Sequence, residues 1–229
     1  LGSGGVLVSG SEETPVSHIR LDSRQVEPGD LFVPLLGERV DSHRFLPQVM
    51  DQGAAAVLTS QELTLPEGGA GCAVIRVEDT KKALQKIGSY LRDRLTLPLV
   101  GVTGSVGKTT TREMIAAALS ARFRVYKTPG NSNSQVGVPV TLSEITENDQ
   151  VGVIELGMSE PGEMTVIANI ARVDMAVITN IGITHIGQLG SQENILREKL
   201  HITDGMKDGG LLILNGDDPL LKNVRGREG

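Results

Sequence analysis

Residues 99–111, LVGVTGSVGKTTT, constrain the fold most: an apolar run breaks into a glycine-rich turn that ends in Gly107-Lys108-Thr109, and helix-forming residues then resume. An apolar run of this length reads as a buried strand, and Arg112 to Leu119 read as a helix. A strand, a tight glycine turn and a helix make a phosphate cradle. Backbone N–H groups and the positive end of the helix face an anion, Lys108 adds charge, and the Thr109 hydroxyl is suited to hold Mg²⁺. The general P-loop pattern wants glycine five positions before Gly107, where this chain has Val102; its glycine stands at Gly104, giving the tighter TGSVGKTT. The expected nucleotide-binding residues are therefore Gly104, Ser105, Val106, Gly107, Lys108, Thr109 and Thr110.

The surroundings support an α/β chain of two domains. With 229 residues and a net charge of −6, the chain can bury a core and has no basic cluster suited to a nucleic-acid backbone. Its one cysteine, Cys72, sits in an apolar run and excludes an intrachain disulfide. No 18-residue apolar span or signal-peptide pattern is present, so a cytoplasmic location without membrane insertion is expected.

In the first part, strands are expected over 31–36, 54–59 and 73–77, with helices over 45–52 and 80–94. Thr96-Leu97-Pro98 is the expected joint, giving domains 1–95 and 96–229. Beyond it, strands are expected at 99–103, near Val125, and at 151–155, 174–179 and 211–215. Helices are expected over 109–121, 161–171 and 191–206. Polar or glycine-rich loops fill 128–137 and 182–190. Apolar strands separated by helices argue for a mostly parallel sheet covered on both faces, with ligands gathering at the carboxyl ends of the strands.

Residues with chemistry to offer stand at those ends. Glu155 closes VGVIE and brings a carboxylate to the edge where Thr109 also points; Mg²⁺ prefers such oxygen ligands. His185 follows a strand in NIGITHIGQLGS, beside glycines that allow close approach. Lys199 reads as an ordinary helix-surface lysine. Asn215 ends the last strand, either in a turn or against a base, and Asn131 and Asn133 either form Asx turns or orient a substrate.

TGSVGKTTT, KTPGNSNSQVGVP, VIELGM, ITNIGITHIGQLGS, the following EKL and ILNGDDP occur in the order and spacing of the Mur ligases, and the early LDSRQVEPGDLFVPLLGERVDSHRF resembles that family's UDP-binding domain. The resemblance runs from about residue 17 to 219. GNSNS before GVP, and ELGMSEPGE, make the chain most similar to the members that join D-Ala-D-Ala to a UDP-N-acetylmuramoyl-tripeptide in peptidoglycan precursor synthesis.

The resemblance implies ATP and Mg²⁺ as cofactors and an acyl-phosphate intermediate; a monomer is expected. Lys108 would stabilise the transferred phosphoryl group, with Lys199 and His185 completing the catalytic set. Thr109 and Glu155 would hold one metal ion. His185 would help hold a second, with Lys199 as a carbamylated ligand. Asn215 matches an adenine contact, and Asp22, Ser23, Arg24, Asp41, His43, Asn131 and Asn133 match substrate contacts.

The chain departs from the family pattern at Ser134, at Ser42 and at Gly187. Ser42 stands where the family has a glycine, which raises the expectation of an altered turn. The family's third domain is absent from the sequence, so this piece alone is expected not to form the amide. Two other readings stay open: a ligase that adds a single amino acid, with a folylpolyglutamate synthase disfavoured by the DSR and GDLF elements, and a P-loop module without ligation.

Overall fold

The computed structural model describes residues 2–37, 40–62 and 71–225. Its contacts divide into two compact units, Leu1–Tyr90 and Leu91–Gly229.

In the first unit, β1 (Val6–Ser9), β2 (Ile19–Arg20), β3 (Leu31–Phe32), β4 (Ala56–Thr59) and β5 (Ala73–Arg76) form a sheet of order β1-β5-β4-β3-β2. β2 to β5 run parallel in sequence order, and only β1 joins antiparallel, at the edge beside β5. α1 (Leu46–Asp51) opens with Pro47 in its first turn, where a missing N–H leaves no bond unmade. It buries Leu46 and Val49 with Phe32, Val57, Cys72 and Val74. α2 (Thr80–Arg92) follows, and its side chains alternate apolar and charged faces with helical period. The expected strand over 31–36 shrinks to Leu31–Phe32, because the backbone beyond it turns toward the 3₁₀ segment Ser42–Phe45.

The second unit is built on β6 (Leu99–Thr103), β7 (Val125–Lys127), β8 (Val151–Glu155), β9 (Met175–Ile178) and β10 (Leu211–Leu214), all parallel, in the order β10-β9-β6-β8-β7. Strands of such a sheet are covered on both faces and read as continuous apolar runs, as LVGVT and VGVIE do.

α3 (Lys108–Ser120) covers one face through Ala116, Ile115 and Leu119 against Val100, Val102 and Val153. α4 (Gly137–Ser143), α5 (Glu163–Ala171) and α7 (Gln192–Leu200) cover the other through Val138, Leu142, Met164, Ile167 and Ile195. α6 (Ile186–Leu189) is a single turn.

The direction of travel explains this division. From β6 the chain steps past β8 to β7 at one edge; from there it moves back through β8 to β9 and β10. Right-handed crossovers place helices on opposite faces for opposite directions of travel, so α3 stands alone on its face. The connection from β6 leaves in one direction, and those from its neighbours β8 and β9 leave in the other. A crevice therefore opens at their carboxyl ends.

Helix α4 starts at the last residue of the expected polar loop 128–137 and runs through a stretch to which the sequence reading assigns no element. GVPVTLS carries two β-branched valines and a proline, a weak helix signal that burial of Val138, Pro139, Thr141 and Leu142 overrides. The expected helix over 191–206 ends at Leu200 and continues as a 3₁₀ turn to Thr203.

Phe32 is fully buried in the first unit. Phe32→Ala is expected to destabilise that unit by about 3–5 kcal/mol, read as a lower urea midpoint with little change in slope.

Candidate active site

The crevice between β6 and β8 holds a cleft of about 440 Å³ lined by Gly107, Lys108, Thr109, Thr110, Asn131, Asn133 and Glu155. Gly104 leaves the strand at φ +149, and a Cβ there would lie 1.9 Å from the Thr179 hydroxyl, so glycine alone fits. Gly107, at φ 80, is the N-cap of α3 and offers no side-chain cap. The first N–H groups of that helix are thus left to face the cleft, where the helix dipole favours an anion.

The apex of the loop is clamped from β9. Asn180 accepts the Ser105 N–H on its carbonyl (3.1 Å) and the Val106 N–H on its side-chain oxygen (3.1 Å). The Val106 carbonyl accepts from Thr179 (2.6 Å) and from the Asn180 amide (3.1 Å). Ser105 and Val106, expected as phosphate donors, spend their N–H groups on this clamp, and the donors left for a ligand begin at Gly107. The Lys108 amine donates to the Gly104 carbonyl at 3.0 Å.

Glu155 is buried at the end of β8. Its Oε2 accepts from the Thr109 hydroxyl at 2.9 Å, and its Oε1 accepts from the Asn133 amide at 2.7 Å. The Asn133 amide rests on Gly157, where a Cβ would meet it at 2.8 Å, and the Asn133 carbonyl accepts from Gly157 N–H at 2.8 Å.

Sequence reasoning passed over Arg112, which is buried beneath this group. It donates to the Gly130 carbonyl at 2.9 Å and to Glu113 at 2.7 Å, and it approaches Glu155 at 3.4 Å. Its signal was its spacing, three and four residues after Thr109 and Lys108, which puts all three on one helix face.

The hydroxyl of Thr109 and the carboxylate of Glu155 are hard oxygen donors opening on a cleft with free N–H groups. That donor chemistry fits Mg²⁺ shared with a phosphate. Among the described residues, no group of three His, Cys, Asp or Glu side chains is arranged for a metal ion.

His185, Lys199 and Asn215 do not line the cleft. His185 stands at the N-cap position of α6 at φ 63, a left-handed conformation uncommon outside glycine that histidine adopts more readily than most residues. Asn215 donates to the Thr179 carbonyl at 3.1 Å, which places it behind the loop clamp.

Lys199, which its helix neighbours mark as a surface residue and the family resemblance marks as a metal ligand, is buried at 2 % exposure. Burial and then the Lys108 charge push its amine down to about 8, against a pull upward from Glu198. Glu198 itself accepts the N–H groups of Gly162 (3.0 Å) and Met164 (2.9 Å) at the start of α5.

In the first unit, Asp22 caps the Ser23–Gln25 turn and pairs with Arg24, whose hydrogen bonds hold the carboxyl at about 2. Ser23 is buried, and the Arg24 guanidinium stands in solvent. Asp41 caps the next turn and accepts from His43 Nδ1 at 2.6 Å. His43 Nε2 accepts the Ser60 N–H at 3.2 Å, which fixes the tautomer with its proton on Nδ1. Both nitrogens of the buried His43 ring are therefore engaged within the protein. Ser42 follows Asp41 in a 3₁₀ turn at negative φ, a conformation that needs no glycine.

The depressed Lys199 amine has a consequence for stability. Between about pH 8 and its ordinary 10.5, the unfolded chain binds the extra proton, so the penalty of burying a charged Lys199 falls as pH rises through that window. Lys199→Met removes the penalty at every pH. It is expected to be more stable than the parent at pH 7, with the difference shrinking toward pH 10, as read by urea denaturation.

Two family models match the chain: the Mur ligase middle domain over residues 102–228, and the Mur ligase family catalytic domain over residues 15–91. The UDP-N-acetylmuramoyl-tripeptide–D-alanyl-D-alanine ligase of Bacillus subtilis is 44% identical over 93% of this chain and 46% of its own length. The enzyme of the same name from Synechocystis is 41% identical over 95% of this chain and 47% of its own length.

Among solved structures, MurF from Acinetobacter baumannii superposes with a TM-score of 0.83 at 35% identity, covering 90% of this chain and 45% of that one. MurF ligase from Thermotoga maritima, in complex with ADP, gives 0.81 at 30% identity, covering 93% and 48%. The chain thus spans about half the length of the relatives it matches. No helix among the described residues is long and apolar enough to cross a membrane. The order of its motifs, its parallel sheet and both family models agree: the chain belongs to the Mur ligase family.

Proposed function

We propose that this chain supplies the nucleotide-binding and UDP-substrate-binding parts of an ATP-dependent ligase that joins D-Ala-D-Ala to a UDP-N-acetylmuramoyl-tripeptide in the cytoplasm. The observation that carries the proposal is the meeting of the uncapped α3 N-terminus, Lys108, Thr109 and the buried Glu155 in one cleft at the strand reversal. The names of the relatives supply the substrates. Residues 96–229 would form the ATP-binding domain and residues 1–95 the domain that takes the UDP moiety, with Asp22, Ser23, Arg24, Asp41 and His43 near it.

The substrate carboxylate attacks the γ-phosphorus of ATP, the bond to the β-phosphate oxygen breaks, and ADP leaves. The amine of D-Ala-D-Ala then adds to the acyl carbon and gives up a proton to solvent, and collapse of the tetrahedral adduct expels phosphate. The first N–H groups of α3 bind the phosphate chain, and Lys108 swings from the Gly104 carbonyl to the charge developing on the transferred group. Thr109 and Glu155 would hold Mg²⁺, which neutralises charge on the phosphate oxygens. Asn133 orients the Glu155 carboxylate from one side and exposes its own loop to the substrate.

Lys199, with its amine depressed and free of hydrogen bonds among the described residues, is suited to react with CO₂. Its nitrogen lone pair would form the N–C bond, and its proton would go to solvent. The carbamate so formed, with His185, would make the second metal position the family resemblance implies.

ATP-dependent phosphate release by the complete ligase in which this chain supplies these parts is the test. Release driven by D-Ala-D-Ala with the UDP-tripeptide is the expected result; release driven instead by meso-diaminopimelate or lysine, with a shorter nucleotide, would place it with a sister ligase. Lys108→Met is expected to lower turnover by about 10²-fold or more, with UDP-substrate affinity unchanged in a binding assay.

A further inference from the structure

We propose that Arg112 is a positioning residue that holds the Glu155 carboxylate and the loop 130–133 in one fixed relation to α3, so that the metal-binding oxygens of the cleft are set before nucleotide arrives. The inference rests on the ligase reading of the cleft and extends it to a residue that does not line it.

Arg112 is 4 % exposed and Glu155 2 % exposed. Burying two such groups is expensive, and the fold alone would be served as well by an apolar pair of similar volume. The Arg112 Nε is moreover a buried donor without a partner among the described residues, a further cost. A side chain kept under those conditions is explained by what its guanidinium ties together.

Nη1 serves two acceptors on two different segments: the Gly130 carbonyl at 2.9 Å, just before Asn131, and Glu155 Oε2 at 3.4 Å, at the end of β8. Nη2 is directed by Glu113 at 2.7 Å, and Glu113 is in turn held by Lys127 on β7. The fork therefore stands at a fixed angle, with α3, β7, β8 and the asparagine loop all joined through it.

Glu155 receives donors from both sides as a result. Thr109 and Arg112 meet Oε2, and Asn133, on the loop that Arg112 anchors at Gly130, meets Oε1. When a cation takes the Thr109 oxygen and Oε2, the Thr109 proton must turn away, whereas the Arg112 and Asn133 contacts can remain. Outer partners of this kind orient a metal-binding carboxylate without touching the metal. A lysine would keep the charge but lack the second arm and the fixed plane.

The test compares ADP binding with and without Mg²⁺ by calorimetry, in the parent protein and in Arg112→Met and Arg112→Lys. For Arg112→Met, the dissociation constant for ADP with Mg²⁺ is expected to rise about tenfold or more, while that for ADP alone stays within about twofold. Arg112→Lys is expected to fall between the two. Unchanged metal-free binding also serves as evidence that the variants fold.

An equal loss in both conditions would reduce Arg112 to a prop for the fold, and an unaltered effect of Mg²⁺ would separate it from Glu155; either overturns the inference. A parent protein that binds ADP in neither condition overturns the ligase reading itself, and that result is distinguishable because it needs no substitution.

Discussion

A buried carboxylate has to be surrounded by donors, and in this protein that requirement draws the cleft together. Glu155 lies at the end of β8 with almost no exposure, and its oxygens are reached from α3 by Thr109 and Arg112 and from the asparagine loop by Asn133. Its own N–H is taken by Thr128 at the end of β7 (3.0 Å). The donors come from two connections of the sheet, α3 between β6 and β7 and the asparagine loop between β7 and β8. The position of the carboxylate therefore depends on how β6, β7 and β8 are joined, and an unsatisfied charge at that depth would be costly enough to penalise a rearrangement there.

The strand order itself follows from one reversal. Because the chain leaves β6 in one direction and β8 in the other, α3 alone covers one face while α4, α5 and α7 cover the second. The same reversal opens the crevice in which Lys108 and Glu155 meet. The phosphate loop is then made rigid from β9, where Thr179 and Asn180 occupy the polar groups of Ser105 and Val106.

Much of this was legible in the sequence, because long apolar runs and glycine turns carry their own physics. LVGVT and VGVIE appear as strands with the expected bounds, and Gly104, Gly107 and Lys108 announce the turn and the helix start. Helix α4 was not legible: its residues favour strands locally, and only burial makes them helical. The depth of Lys199 was hidden as well, since EKL between charged neighbours has the pattern of a solvated surface. Arg112 was hidden for the same reason; a helix arginine next to a glutamate reads as an exposed pair until the sheet closes over it. His43 illustrates the converse, a residue marked by motif whose ring is spent on Asp41 and Ser60.

The bare α-carbon of Gly157 has a meaning for anyone who would redesign this cleft. The amide of Asn133 occupies the space a side chain at 157 would need, so the two positions are one unit of shape written in two distant stretches of chain. A library that varies residues 131–134 while leaving 157 alone samples loops around a constant floor. One that lets 157 vary changes the floor instead, and most of its members would differ in where the loop stands rather than in what it offers.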